Sequence, residues 1–301
     1  MATIVFFHAH PDDEAIATAG TMASLSDQGH RVVLVTATRG ELGEIPEGLL
    51  APGETLAERR KVELGEACRI LGVTRQAYLD YLDSGMAGED TNDRPGSFAA
   101  ADVDEAGAAL AAILRGESAD VLVTYDEHGG YGHPDHVQVH RVGMAAAGLA
   151  GTPIVYFATM NRDQVGDLMN DAGDTGLEPP EATAGGVEEM GEPASRITTA
   201  VDVLPWIDRK RRSMQAHVSQ IGEDSFFLAM TDELFSMVWG REWYIRVRPE
   251  PHASGPDHWE PALLLQVDAG TGGAATGTGP SELDQVVSTC CLLYTSPSPR
   301  D

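Results

Sequence analysis

Along the first half of the chain, hydrophobic and polar positions fall into two kinds of block. Short, continuous apolar runs bounded by turn residues predict buried strands at 3–7, 31–38, 78–82, 120–125 and 154–159. Stretches with apolar residues every three or four positions predict helices over 15–28, 56–71, 103–114 and from Pro134 to about Ala147. Gly29 and Gly72 supply helix stops, and Pro134 suits a first helical turn, where its missing N–H costs nothing. The opening strand–helix–strand is a βαβ unit, which calls for parallel strands joined by a right-handed crossover. The alternation as a whole predicts an α/β fold, a Rossmann-like open and mostly parallel sheet with helices on both faces.

The pattern weakens further on. Residues 161–196 are rich in Gly, Glu and Pro and poorly periodic, and are expected to be a variable insertion on the substrate side. A strand at 200–203 and a helix over 205–217 follow, the helix carrying Arg209, Lys210, Arg211 and Arg212, which read as a solvated face. Five of the ten residues from Gly270 to Gly279 are glycine, a linker composition, and the end from Cys290 resembles translated adapter or vector sequence. One domain is therefore expected over 1–267, with a Gly-rich linker and a probable non-native tail over 268–301.

Composition narrows the function. The 301 residues carry 20 basic and 47 acidic side chains, a net charge of −27, which repels phosphate backbones and anionic lipid heads. Nucleic acid and membrane surfaces are thus excluded as partners, and no apolar run is long enough to span a bilayer. The N-terminus lacks the features of a signal peptide, so the expected location is the cytoplasm. Cys68, Cys290 and Cys291 form neither a disulfide framework nor a paired metal motif.

Two loops carry candidate chemistry, and both follow strands at their carboxyl ends, where open α/β sheets build their sites. The first is HAHPDDE, His8 to Glu14; the second runs from Tyr125 through EHGGYGHPDH to His136 and on to His140. Alone, the first is either a ligand set for zinc, iron, manganese or cobalt, or a polar turn whose Asp caps a helix. Alone, the second either places His136 and His140 on one helical face or uses fewer of its histidines. Together they hold six of the ten histidines of the chain, beside acidic residues, which points to a bound cation. More donors are present than a catalytic zinc needs, and the surplus suits a base, an acid and orienting groups. The first loop is also no GxGxxG, and its carboxylates would repel a pyrophosphate, which argues against a nucleotide-binding domain. A non-catalytic metal- or sugar-binding module is the rival from another class.

HPDDE at 10–14 and HPDH at 133–136, in this order and each at a strand end, resemble the zinc-dependent sugar N-deacetylases of the LmbE/PIG-L family. The similarity runs from about Thr3 to at least Asn161, and the segment 210–221 resembles the family's C-terminal helix and turn. The runs 129–136 and 83–86 are most similar to the branch that removes acetate from N-acetylglucosaminyl-inositol in mycothiol biosynthesis, with a mycothiol-conjugate amidase or a deacetylase of another amino-sugar metabolite as the alternative. The resemblance implies a small amino-sugar substrate and Zn2+, with Fe2+ or another divalent transition metal in its place as the variant. It implies His10, Asp13 and His136 as metal ligands and Asp12 as general base. His133 would stabilise the oxyanion and could protonate the departing amine, with Asp135 orienting it, and Tyr131 would polarise the carbonyl. Arg60, Asp83 and Met86 would hold the sugar, although read alone Arg60 fits a helix surface and Asp83 a turn cap. His8, His128 and His140 match no ligand role.

Overall fold

Four of the five parallel strands of the computed structural model follow the predicted apolar runs. The structure describes residues 1–172, 190–251 and 253–264, without the side chains of 168–172. Strands β1 (Thr3–His8), β2 (Arg31–Thr36), β3 (Arg75–Tyr78), β4 (Val121–Tyr125) and β5 (Ile154–Thr159) pair in parallel in the order β3-β2-β1-β4-β5. The interiors of β1 and β2 and residues Val121–Val123 of β4 are wholly buried and apolar, each side chain worth about 1.5–3 kcal/mol on leaving water. The strand order reverses between β1 and β4, so the loops leaving these two neighbours open a crevice at the carboxyl edge.

Helices cover both faces. On one side α2 (Ala19–Asp27), α3 (Leu56–Leu71) and α7 (Ile207–Ala216) pack together; on the other α4 (Val103–Glu117) lies against α5 (Pro134–Ala150). Helix α3 begins with a capping box, Thr55 with Glu58, and ends at Gly72 in the left-handed conformation. Met1–Leu263 form one unit. The expected boundary at 267–268 and the tail beyond it lie outside the described residues, as does much of the expected insertion.

Four expectations need correction. The single helix over 15–28 is two, α1 (Asp13–Ala17) and α2, broken at Thr18. The break frees Gly20 N and Thr21 N to donate to the Glu242 carboxylate at 2.9 and 2.8 Å. The third strand lies at 75–78 rather than 78–82; it is the sheet edge, and its partly exposed residues Arg75 and Gln76 hide it from a search for apolar runs. The aperiodic segment opens with α6 (Arg162–Ala172). The basic run is a solvated face only at Arg212: Lys210 is 1% exposed and pairs with Glu242 at 2.6 Å, while Arg209 and Arg211 bond Asp27 and Asp232.

The C-terminal part adds β6 (Thr199–Asp202), α8 (Asp232–Trp239) and β7 (Arg241–Arg248). β7 inserts antiparallel between β5 and β6.

Candidate active site

The site is built on the two loops at the crevice. After β1 the chain turns through residues 9–12 into α1. Asp12 there has φ 108° and ψ −31°, a backbone state that costs a non-glycine residue on the order of 1–3 kcal/mol. Three contacts hold it. Asp12 N donates to Glu14 Oε2 at 3.0 Å, Arg60 Nη2 donates to Pro11 O, and the same Nη2 lies 3.1 Å from Asp12 Oδ1. Arg60 is 3% exposed and also donates from Nη1 to Gly40 O at 2.6 Å, so it belongs neither to the helix surface nor to open solvent. Glu14 is fully buried, and its Oε1 meets His217 Nε2 at 2.7 Å.

The second loop is held locally. Asp126 Oδ1 accepts from His128 N and Gly130 N, both at 3.0 Å, and Oδ2 accepts from Thr159 Oγ1 at 2.6 Å. Gly129 adopts φ +63°, and a Cβ there would lie 2.5 Å from His136 Cβ, so glycine is needed for the loop to close onto α5. His133 caps α5, its Nδ1 accepting from Asp135 N at 3.1 Å. That bond leaves the proton of a neutral imidazole on Nε2.

The loops meet at a cluster of buried donors. Ring nitrogens of His10, His133 and His136 lie within 4.8 Å of one another. His136 Nδ1 is fixed on Gly129 O at 3.1 Å, and its buried Nε2 has no hydrogen-bond partner, with Asp13 Oδ1 3.3 Å away. Asp13 Oδ2 accepts from His10 N at 2.8 Å and lies 3.6 Å from His10 Nδ1. His10 Nε2 faces Asp135 Oδ2 at 3.1 Å and Asp83 Oδ1 at 3.6 Å. An imidazole nitrogen left bare among carboxylates, with its other nitrogen anchored on a carbonyl, is how a metal ligand is prepared. These residues fit a divalent cation.

The charges agree. Burial alone would lower the His10 pKa, but Asp135, Asp83 and Asp13 raise it well above the usual range, as a site that draws positive charge does. Burial would raise Asp13, but His136 and His10 hold it well below the carboxylate range. Asp12 goes the other way. Burial raises it, Arg60 opposes and Asp13 adds to the rise, the direction a general base requires. Burial, with His10 and His136 adding to it, lowers His133 to about 3 and so keeps it neutral.

The other expected residues fall as follows. Asp135 sends its carboxylate to His10, Ser84 N (3.0 Å) and Ser84 Oγ, and orients His133 only through its backbone N–H. Tyr131 stands with its ring centre 4.9 Å from His136 and 6.2 Å from His133. Asp83 is buried, accepting from Leu42 N and Gly85 N, and Met86 on the same loop is 48% exposed. Among the histidines without an expected ligand role, His8 is buried between Tyr125 Oη and Thr18 Oγ1, His140 bonds Tyr125 O, and His128 is exposed 3.8 Å from Glu192. The sequence did not single out His217; nothing in spacing links it to Glu14, 203 residues away.

A spare carboxylate beside a prepared cation site, with a neutral imidazole donor across from it, is the outfit of a metal-assisted hydrolase. Comparison with known proteins narrows this. Residues 5–147 match the family described as PIG-L: GlcNAc-PI de-N-acetylase. The chain is 40% identical over 296 residues to the 1D-myo-inositol 2-acetamido-2-deoxy-alpha-D-glucopyranoside deacetylase of Acidothermus cellulolyticus, covering 91% of this chain and 99% of that protein. It is 39% identical to the protein of the same name from Salinispora arenicola, covering 92% and 96%. The chain belongs to the PIG-L family of de-N-acetylases. Among solved structures, the N,N'-diacetylchitobiose deacetylase of Pyrococcus horikoshii shares the fold at TM-score 0.54 and 23% identity, over 83% of this chain and 87% of that one. A deacetylase of teicoplanin biosynthesis does so at TM-score 0.56 and 17% identity, over 83% and 100%. No described helix is long and apolar enough to cross a membrane.

Proposed function

We propose that this chain is a zinc-dependent hydrolase that removes acetate from the 2-acetamido group of N-acetylglucosaminyl-inositol, acting in the cytoplasm on a small-molecule substrate. The relatives named for that reaction support the substrate, since they match at about 40% identity along nearly the whole chain. The observation that carries the chemistry is the buried, unpartnered His136 Nε2 facing Asp13 beside the upshifted Asp12. The deacetylase unit is assigned to residues 1–267, with 268–301 outside it.

His10, Asp13 and His136 would hold the cation. It supplies Lewis acidity, making water a nucleophile near neutral pH and polarising the amide carbonyl. Asp12 takes the proton of the attacking water, a step its raised pKa favours. His133 donates Nε2–H to the oxygen that becomes negative as the carbonyl carbon turns tetrahedral, and the Tyr131 hydroxyl donates from the glycine-rich side. The proton on Asp12 then passes to the departing sugar amine, so the carboxylate starts the next cycle ionised. Asp83 and Met86 line the sugar side. Arg60, whose guanidinium is committed to Pro11, Gly40 and Asp12, steadies the base.

Release of acetate and free amine from GlcNAc-inositol, a mycothiol conjugate and plain GlcNAc, by metal-stripped and zinc-restored protein, tests the proposal. Zinc-dependent acetate release from GlcNAc-inositol is expected. Cleavage of the conjugate in its place would move the chain to the amidase branch. Turnover of none of them, with zinc bound, would overturn the hydrolase function.

A further inference from the structure

The turn after α7, His217–Val–Ser–Gln220, touches every element that supports the base, and the reaction as derived above leaves it unused. His217 is fully buried and meets Glu14 Oε1 at 2.7 Å; the other oxygen of Glu14 accepts from Asp12 N at 3.0 Å. Ser219 donates from N and Oγ to Glu63 of α3 at 3.0 and 2.6 Å. Gln220 Nε2 donates to Glu44 O at 3.0 Å, and a side chain at Gly43 would collide with Gln220 Oε1. That loop presents Gly40 O to Arg60, the residue that also grips Pro11 O and approaches Asp12 Oδ1.

The Asp12 backbone is held in a conformation that Asp rarely adopts, and an L-residue keeps such a φ only where its surroundings over-determine it. Two buried links supply that constraint, Arg60 on one side and Glu14 on the other. Glu14 has one oxygen for Asp12 N and one for His217, and its buried carboxylate needs both donors. We propose that His217 is a positioning residue which, through Glu14, locks Asp12 in its left-handed backbone state and so aims the base at the substrate water. This rests on Asp12 serving as the base.

The test uses the full zinc-loaded protein with His217→Asn and His217→Gln. Both are polar and smaller than histidine. The Gln amide nitrogen reaches the place of Nε2 and can still donate to Glu14, whereas Asn is one methylene too short. His217→Asn is expected to lower kcat roughly tenfold to a hundredfold, with KM and bound zinc within about twofold of wild type, since small misplacements of a reacting group cost on this scale. Its crystal structure should show Asp12 out of the positive-φ region. His217→Gln should recover most of kcat and keep the Asp12 backbone. Glu14→Gln, with one carbonyl oxygen for two donors, is the second variant if the Asn protein does not fold, and should show the same loss. Unchanged kcat with Asp12 φ retained, equal losses in the Asn and Gln variants, or a loss of kcat that follows a loss of zinc would each overturn the proposal. Absence of acetate release by wild type would instead overturn the deacetylase function, while the Asp12 backbone in the variant structures would still decide this one.

Discussion

The two loops that make the site are held to different degrees by remote, buried partners. The carboxylate loop, 9–14, is fixed from far along the chain, by Arg60 of α3 and by His217 beyond α7. The imidazole loop, 126–136, is fixed partly from within, by the Asp126 carboxylate on its own backbone and by Gly129 folding against His136, and partly by Thr159, Gly191 and Arg196 at its outer side. The difference matches the tasks assigned to them. The base must point one way through the whole cycle, so its strained backbone is clamped from both sides. Tyr131 sits between Gly130 and Gly132, both at positive φ, and Gly130 O accepts from Gly191 N at 2.7 Å.

Substitutions that separate the loops sharpen this contrast. Asp12→Asn keeps the size of the base and removes its charge; kcat should fall by about 10²–10⁴-fold with zinc content and thermal midpoint near wild type, as read by steady-state kinetics and metal analysis. A fall in zinc content with activity would mean that Asp12 holds the cation. Asp126→Ala should act on stability, since three donors lose a buried acceptor; about 1–3 kcal/mol is expected in denaturant unfolding of the zinc-loaded protein. If Asp126→Ala left stability unchanged, the imidazole loop would not be held from within. Tyr131→Phe should have the smallest effect, about tenfold on kcat with KM nearly unchanged, because one hydrogen-bond donor to a developing charge is lost among several. An effect of Tyr131→Phe on KM alone would place the hydroxyl on the substrate ground state.

Much of the parallel half was legible because its physics is local. Buried strands such as Val121–Tyr125 are continuous apolar runs, and helix stops such as Gly72 announce themselves. The two site loops were legible because histidine and aspartate gather there at unusual density. What escaped depends on contacts remote in sequence. The helix break at Thr18 answers to Glu242, which accepts from Gly20 N, Thr21 N and Lys210. The same carboxylate explains why a basic run that reads as solvated carries a buried lysine. Strand β3 is polar because it is an edge, and β7 pairs antiparallel beside β5, where alternation of helix and strand predicts another parallel neighbour. Within the site, residue types pointed to the cation, but the partners of Arg60, Asp135 and Glu14 are set by tertiary packing alone.

The most direct measurement is a metal titration of the stripped protein, following bound zinc and acetate release from GlcNAc-inositol together. The account predicts no release without metal, then release rising in proportion to bound zinc and levelling off at one equivalent per chain. Release by the stripped protein, or a full equivalent of zinc bound with no release, would contradict it.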